Sequence, residues 1–396
     1  PFFFYTPPRA TAMLRSLVGS EMCIRDSLKA FAPIKIVSLE QAVAAPLTTR
    51  RFAQAGAEVI KIERPEGDFA RYYDSVVFGE SSYFAWLNAG KKSVVLNLAE
   101  DKGFELLQKL IDRSDILVQN LKPGALQKLG FELSEYHRNR PEFISLSISG
   151  FHPEGPSRDR KAYDLLMQAE SGLSSITGSP QEPGRVGVSM VDLATGMYGY
   201  QALLEALLNQ RLTGLGKQIA ISLFDAVAEW LAVPYLLDRY GLNAPKRIGL
   251  AHPGICPYGV FFSSDDQPFI LSIQNEREWG RLIDEVIMNK ELREDPRCRS
   301  NEIRVENRTY VDDKIGSELK KLMYSEIELR FTRADLAQAP LMQIQDLKDH
   351  RDFRTYSALV GGHTFELPMT PGNDYASGQK VPELGEHTKA VIGSLE

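Results

Sequence analysis

From Ile34 onward the chain alternates short β-branched runs with longer amphipathic stretches, and this alternation limits the fold more than any other feature. A short run of Val, Ile and Leu suits a strand buried on both faces, whereas apolar residues at helical spacing make one face of a helix. The spacing predicts strands over 34–39, 58–62, 93–98, 116–118, 143–148 and 218–222, and helices over 46–55, 102–111, 193–212 and 224–240. Pro46 starts the first helix and Thr213-Gly214-Leu215-Gly216 stops the long one. Such alternation implies βαβ units with right-handed crossovers, so the fold class is α/β with a parallel sheet covered by helices. After 240 the pattern changes. Residues 243–254 are rich in Gly, Pro and basic residues, and 258–273 read as a meander, which implies a smaller α+β domain. The expected divisions are a large domain over 28–240, a small domain over 241–335 and a C-terminal segment over 336–396. Residues 1–27 stand apart: 16–27 look like a translated sequencing adapter and the apolar residues are too broken up for a signal peptide, so the fold is expected to start near Leu28.

With 396 residues, 43% hydrophobic and 25% charged, the chain has enough material for two cores. A net charge of -6 gives no general grip on nucleic acid or anionic lipid, so an anionic ligand needs local Lys/Arg clusters. Cys23, Cys256 and Cys298 share no ligand spacing, which argues against a metal site and a disulfide framework and for a reducing cytoplasm. No apolar run approaches the roughly 20 residues of a membrane span.

The turn after the first strand, Glu40-Gln41-Ala42-Val43-Ala44-Ala45-Pro46, has no glycine to let backbone approach a pyrophosphate, so no NAD site is expected there. Its small residues still allow a polar ligand to approach a helix N-terminus, or simply pack strand on helix. Arg64 at the end of the second strand, Lys91 and Lys92 before the third, and Lys122 and Lys128 around Pro123-Gly124 recur at strand ends, where cations suit a ligand with several phosphates such as CoA.

The segments 56–65, 88–93, 118–125, 192–197 and 213–218, with His252-Pro253, Pro257-Tyr258 and 382–388, make the chain resemble the family III CoA-transferases. That group includes formyl-CoA transferase, carnitine CoA-transferase and alpha-methylacyl-CoA racemase. The resemblance covers nearly everything from Leu28 on. It implies a Rossmann-like large domain, a smaller domain, a C-terminal segment returning to the large one, and a homodimer of interlocked rings. It also implies that Arg64, Leu96, Asn97, Leu98, Asn120, Lys122, Lys128 and Lys161 line a CoA site, with Val43, Ala44 and Tyr163 beside it, and that Asp192 is the nucleophile.

A carboxylate nucleophile conserves thioester activation by storing CoA as an aspartyl thioester. Locally, Asp192 between a strand-like 186–191 and a helix from Leu193 also has the pattern of an N-cap. Gly196 and Gly199 in the first turns each cost about 1 kcal/mol relative to Ala, a penalty that makes sense where backbone or ligand approaches closely. Tyr163 stands where racemases of the family carry a histidine, which disfavours proton abstraction at neutral pH. The segments 39–46 and 67–71 resemble more closely those family members that act on C4 and C5 dicarboxylates such as succinate, itaconate, mesaconate or citramalate, and this resemblance implies such substrates, with Arg247 and His252 available for a second carboxylate. An acyl-CoA racemase and a non-catalytic CoA-binding homologue are the alternatives.

Overall fold

A computed structural model describes residues 31–241, 246–372 and 378–395. The segment 1–27 and the beginning of the Gly/Pro-rich stretch at 243–254 lie outside the described residues. The chain forms two compact units, one from the described residues of 1–167, 187–230 and 354–396, the other from those of 168–186 and 231–353.

The larger unit is built on six parallel strands: β1 (Lys35–Leu39), β2 (Glu58–Glu63), β3 (Lys92–Val95), β4 (Ile116–Gln119), β5 (Ile144–Ser149) and β6 (Gln218–Ser222). They are ordered β3-β2-β1-β4-β5-β6, with Ile36 opposite Val59 on one side and Ile116 on the other. Strand order reverses at β1, so the chain leaves β1 and β4 in opposite directions and opens a crevice at their carboxyl ends. The Val/Ile/Leu content of β1, β4 and β5 follows from burial on both faces of the sheet. Lys61 in the middle of β2 breaks that rule, being 0% exposed.

The helices that position the candidate site are α1 (Ala44–Gln54), α2 (Ser82–Asn88), α3 (Asp101–Asp112), α4 (Asp164–Glu170), α5 (Met190–Thr213) and α6 (Leu223–Trp230). The helix expected over 224–240 is broken at Leu231 into α6 and a second helix, Ala232–Tyr240. Pro234 explains the break. It has no N–H for a continuous helix, and restarting at Ala232 puts it in a first turn, where an N–H has no intrahelical partner anyway. Residues 186–191, expected to be strand-like, contain no strand; α5 begins at Met190 instead.

In the smaller unit, β7 (Tyr258–Phe262), β8 (Pro268–Ser272) and β9 (Ala337–Pro340) form an antiparallel sheet, as the meander pattern implied for the first two. Its core holds a buried arginine: Arg304 donates to the carbonyls of Cys256 and Cys298, both at 2.9 Å, pairs with Glu276 and lies over the Trp279 ring. In the larger unit, β10 (Thr355–Val360), β11 (His363–Pro368) and β12 (Gln379–Lys380) form a sheet whose apolar face, including Tyr356, Ala358 and Leu367, packs on Phe84 and Ala85 of α2. The helix Thr388–Gly393 closes the larger unit, with Thr388 Oγ1 accepting the Val95 N–H at 2.9 Å.

Gly196 and Gly199 face α1. A Cβ on Gly196 would lie 2.7 Å from the Ala44 carbonyl oxygen and 2.9 Å from Leu47 Cβ, and one on Gly199 would lie 2.6 Å from Thr48 Oγ1. Thr48 Oγ1 donates across the contact to the Gly196 carbonyl at 2.9 Å. Close packing against the Ala44 carbonyl and Leu47 at Gly196, and against the Thr48 and Leu146 side chains at Gly199, therefore accounts for both glycines. Gly196→Ala is expected to lower stability by about 1–3 kcal/mol, overpacking outweighing the gain in helix propensity. In urea unfolding, Gly393→Ala, with nothing within 4 Å of its Cβ position, should be near neutral.

Candidate active site

The turn that follows β1 is fixed from beneath by buried charges. Lys61 Nζ lies 2.8 Å from Asp68 Oδ2 and 3.7 Å from Glu40 Oε1, and Lys91 Nζ lies 2.6 Å from Glu40 Oε1. Lys91 also donates to the Pro46 carbonyl and Asn88 Oδ1. Burial lowers the Lys91 ammonium to about 8 although Glu40 opposes the shift. Burial likewise works against Lys61, but Asp68, Glu40 and Glu63 outweigh it and its pKa is raised. Lys91 is thus consumed by the fold and Lys92 pairs with Glu58 at the amino end of the sheet, so neither serves the phosphate role expected of it. The acid ending β2 is also committed: Glu63 takes a two-pronged contact from Arg71 at 2.9 Å, and these bonds with Lys61 and Ser93 overcome burial to hold it down to about 2.

Asp68 carries this anchoring into the turn. Its Oδ1 accepts the N–H of Ala42 at 3.1 Å and of Ala70 at 2.9 Å. Asn120 holds the preceding residue with both ends of its amide, accepting from Gln41 N and donating to Gln41 O, each at 2.9 Å. Between these clamps Ala42 takes φ 63°, a left-handed conformation uncommon outside glycine. Val43, Ala44 and Ala45 are buried as whole residues, at 3%, 4% and 0% exposure. The N–H groups of Val43, Ala44 and Ala45 open α1 without an acceptor among the described residues.

Asp192 lies in the first turn of α5, two residues beyond Met190, while Ser189 occupies the N-cap position. The N-cap pattern read from the sequence is therefore displaced by three residues. Asp164, the first residue of α4, supplies the anionic partner instead: its Oδ1 accepts from Val191 N at 2.8 Å and from Asp192 N at 3.4 Å. These bonds fix the start of α5. Asp192 is half-buried, and its carboxylate accepts no hydrogen bond among the described residues. Burial first and the Asp164 charge second push its pKa up to about 7. The next residue, Leu193, packs with Val43 and Leu47, which places the start of α5 beside the start of α1. Tyr73 also senses Asp192: burial, Asp68, Asp192 and Tyr163 together raise the Tyr73 phenol to about 12.

A cleft of about 260 Å³ at the carboxyl edge brings together Arg64, Leu96, Asn97 and Leu98 with Gln41, Asp68 and Leu121. Arg64 Nε donates to the Gly67 carbonyl at 3.0 Å, and its other guanidinium nitrogens make no hydrogen bond among the described residues. Asn97 donates to Glu100 Oε1 at 2.6 Å and accepts the Ala99 N–H, shaping the turn into α3. That turn lies against Gly103, whose Cβ position is only 2.0 Å from the Asn97 carbonyl oxygen. Lys122 lines a neighbouring cleft of about 240 Å³ with Gln119, Ser147 and Gln218, joined to the first through Leu121. Lys128, the last residue of the helix Ala125–Lys128, lines neither, and Lys161 and Tyr163 are exposed in the loop before α4. In the smaller unit, Arg247 donates to the carbonyls of Ser179 and Ser175, and His252 stacks on Tyr258 and accepts the Gly254 N–H at 3.1 Å.

Sequence reading missed the structural roles of Asp68 and Asp164. Asp68 had a local signal, a carboxylate before a short helical turn. Asp164 acts on backbone 27 residues later, and local pattern carries nothing of that.

A family model described as CoA-transferase family III matches residues 31–388. The chain is 30% identical to succinyl-CoA:glutarate CoA-transferase of Mus musculus over 98% of this chain and 92% of that protein. It is 34% identical to acetyl-CoA:oxalate CoA-transferase of Acetobacter aceti over 86% of this chain and 88% of that protein. The crystal structure of a CAIB/BAIF family protein from Brucella suis superimposes with a TM-score of 0.78 at 29% identity, covering 92% of this chain and 98% of that one.

Because the fold raises the Asp192 pKa, it favours the protonated carboxyl. The stability this provides is complete below the ordinary carboxyl pKa of about 4 and is lost as pH rises through about 7. Asp192→Asn, uncharged throughout, is expected to gain on the native protein between pH 4 and pH 8, reaching about 2–4 °C in Tm at pH 8. Asp164→Asn should shift the Asp192 titration downward, read by NMR of the labelled carboxyl carbon.

Proposed function

The chain belongs to CoA-transferase family III, and from that premise we propose that it moves CoA between small carboxylic acids with Asp192 as the covalent relay. The observation that carries this reading is a half-buried carboxylate, free of hydrogen bonds among the described residues and with its pKa raised to about 7, beside the start of α1, whose first N–H groups have no acceptor among the described residues. A raised pKa makes the ionised form a stronger nucleophile while leaving much of it ionised near neutrality.

In the proposed sequence, an Asp192 oxygen attacks the thioester carbon of the donor. The C–S bond breaks, giving a mixed anhydride and CoA thiolate. The thiolate attacks the aspartyl carbon, the donor acid leaves as its carboxylate, and aspartyl-CoA remains. The acceptor carboxylate attacks that thioester to form a second anhydride and again releases CoA thiolate, which takes the acceptor acyl group and returns Asp192 as a carboxylate. Each attack builds an oxyanion, and the backbone N–H groups of Val43, Ala44 and Ala45 are the proposed donors. No step draws a proton from carbon, in keeping with Tyr163 at the racemase histidine position.

CoA is assigned to the Arg64 cleft, with Leu96 and Leu98 as apolar surface, Asn97 at its edge, Arg64 on phosphate, and Lys122, Lys128 and Lys161 as outer cations. The Asn120 amide, held by Gln41, acts by fixing the turn. The names of the relatives point to dicarboxylate acceptors, glutarate in one case and oxalate in another. We assign succinyl-CoA as donor and a C4 or C5 dicarboxylate as acceptor, in a cytoplasmic enzyme that uses no metal or NAD. A homodimer is part of the proposal: no residue of the helix Ala232–Tyr240 is buried, and Val233, Tyr235 and Tyr240 are 65%, 60% and 78% exposed. No helix among the described residues is long and apolar enough to cross a membrane.

Mass spectrometry of succinyl-CoA incubated with glutarate, itaconate, mesaconate, citramalate or oxalate should show a new acyl-CoA for at least one C4–C5 acid. Hydroxylamine added with donor alone should leave a hydroxamate on Asp192, and Asp192→Ala should lose about 10³-fold or more in kcat. An unlabelled Asp192 with undiminished turnover in the alanine variant refutes the covalent relay.

A further inference from the structure

The two halves of the proposed site ride on α1 and α5, and a buried hydroxyl joins these helices close to both. Thr48, one turn beyond Ala44 in α1, is 0% exposed. Its Oγ1 donates to the Gly196 carbonyl of α5 at 2.9 Å and lies 3.2 Å from the Ala44 carbonyl of its own helix. Gly196 stands one turn beyond Asp192. The hydroxyl therefore touches Ala44, where α1 opens, and the turn of α5 that follows Asp192. Neither neighbouring threonine duplicates it: Thr49 Oγ1 donates to Glu40 at 2.6 Å, and Thr195 Oγ1 donates to the Val191 carbonyl of its own helix at 2.7 Å.

The contact has no slack. Valine has the shape of threonine with a methyl in place of the hydroxyl, and a methyl carbon keeps about 3.3–3.6 Å from a carbonyl oxygen. At a position now 2.9 Å from the Gly196 carbonyl, it would press α5 away from α1 by about half an ångström. Farther along, Arg51 reaches Met197 Sδ at 3.6 Å and the Phe52 ring meets the Tyr200 ring edge-on at 5.0 Å. These contacts do not involve Thr48, so the helices stay packed there and the displacement falls on the first turns, where Asp192 stands.

We propose that Thr48 is a positioning residue for the transfer: its hydroxyl, by holding the Gly196 carbonyl against α1, sets the place of the Asp192 carboxylate relative to the start of α1. This role rests on the reading of Asp192 as the covalent relay. A reacting group misplaced by about 1 Å can cost about 100-fold in rate, so a shift of half that size corresponds to about tenfold. Binding of the donor is spared. Arg64, Leu96, Asn97 and Leu98, which line the cleft assigned to CoA, follow β2 and β3 and belong to neither helix.

Single-turnover kinetics test the assignment. The full chain is mixed with succinyl-CoA alone, and aspartyl-CoA on the Asp192 peptide is followed by mass spectrometry over a range of donor concentrations. Thr48→Val should load Asp192 about tenfold more slowly at saturation, with the half-saturating donor concentration unchanged within about twofold. Thr48→Ser, which keeps the hydroxyl, should recover the native rate within about twofold. Thr48→Ala loses the hydroxyl without adding bulk and should show the same slow loading; it carries the test if Thr48→Val does not fold. A native loading rate in the folded valine or alanine variant overturns the positioning role alone. A serine variant as slow as the valine one also overturns it, since packing rather than the hydroxyl would then be responsible, as does a loss confined to the half-saturating concentration. Absence of aspartyl-CoA in the native protein overturns the relay itself, and with it the role of Thr48.

Discussion

The carboxyl edge of the sheet depends on the burial of Lys61. Moving an ammonium into the middle of a central strand costs several kcal/mol unless it is met by opposite charge and hydrogen bonds. Here Asp68 and Glu40 meet it, and Glu40 is itself held by Lys91. Such a network adds little net stability over well-packed apolar side chains, but losing any member leaves its partner charged and unpaired, at a cost of about 3–5 kcal/mol. Its structural return is alignment. It joins the end of β1, the middle of β2, the loop at 68 and the start of β3, and through Asp68 reaches the Ala42 N–H. A turn without glycine is thereby held at a positive φ, and the first N–H groups of α1 are left without an acceptor among the described residues.

The second half of the site follows from packing. Gly196 and Gly199 let the α5 backbone approach α1 closely enough for Thr48 to bond the Gly196 carbonyl, while Asp164 secures the first turn of α5. Asp192 is then set beside the opening of α1 by two helices whose relative position is fixed by direct backbone contact. Its two perturbing influences, an apolar surrounding and a fixed neighbouring anion, act in the same direction and oppose the helix dipole, which favours a negative charge in a first turn.

Much of this was legible in the residues. The strand over 218–222 coincides with β6, and the predicted first, second and fourth strands lie within a residue of β1, β2 and β4, because burial on both faces writes a plain apolar signal. Arg64 and Leu96 to Leu98 gather in one cleft because each follows the carboxyl end of a neighbouring strand. What failed to show was long-range pairing. Lys91 reads as a surface cation until Glu40 is brought to it from 51 residues away, and Asn120 reads as a ligand contact until Gln41 takes both ends of its amide. The helix break at Leu231 was readable from Pro234, but strong apolar periodicity masked it.

Gly103 has a consequence that reaches past stability. The Asn97 carbonyl occupies the space where any other residue at 103 would carry its first side-chain carbon, so the contour of the proposed CoA cleft is cast by the hidden face of a neighbouring helix. Selectivity in such a protein can drift without change to any atom that touches the bound molecule: a single methyl behind the wall is enough to remould the surface in front of it.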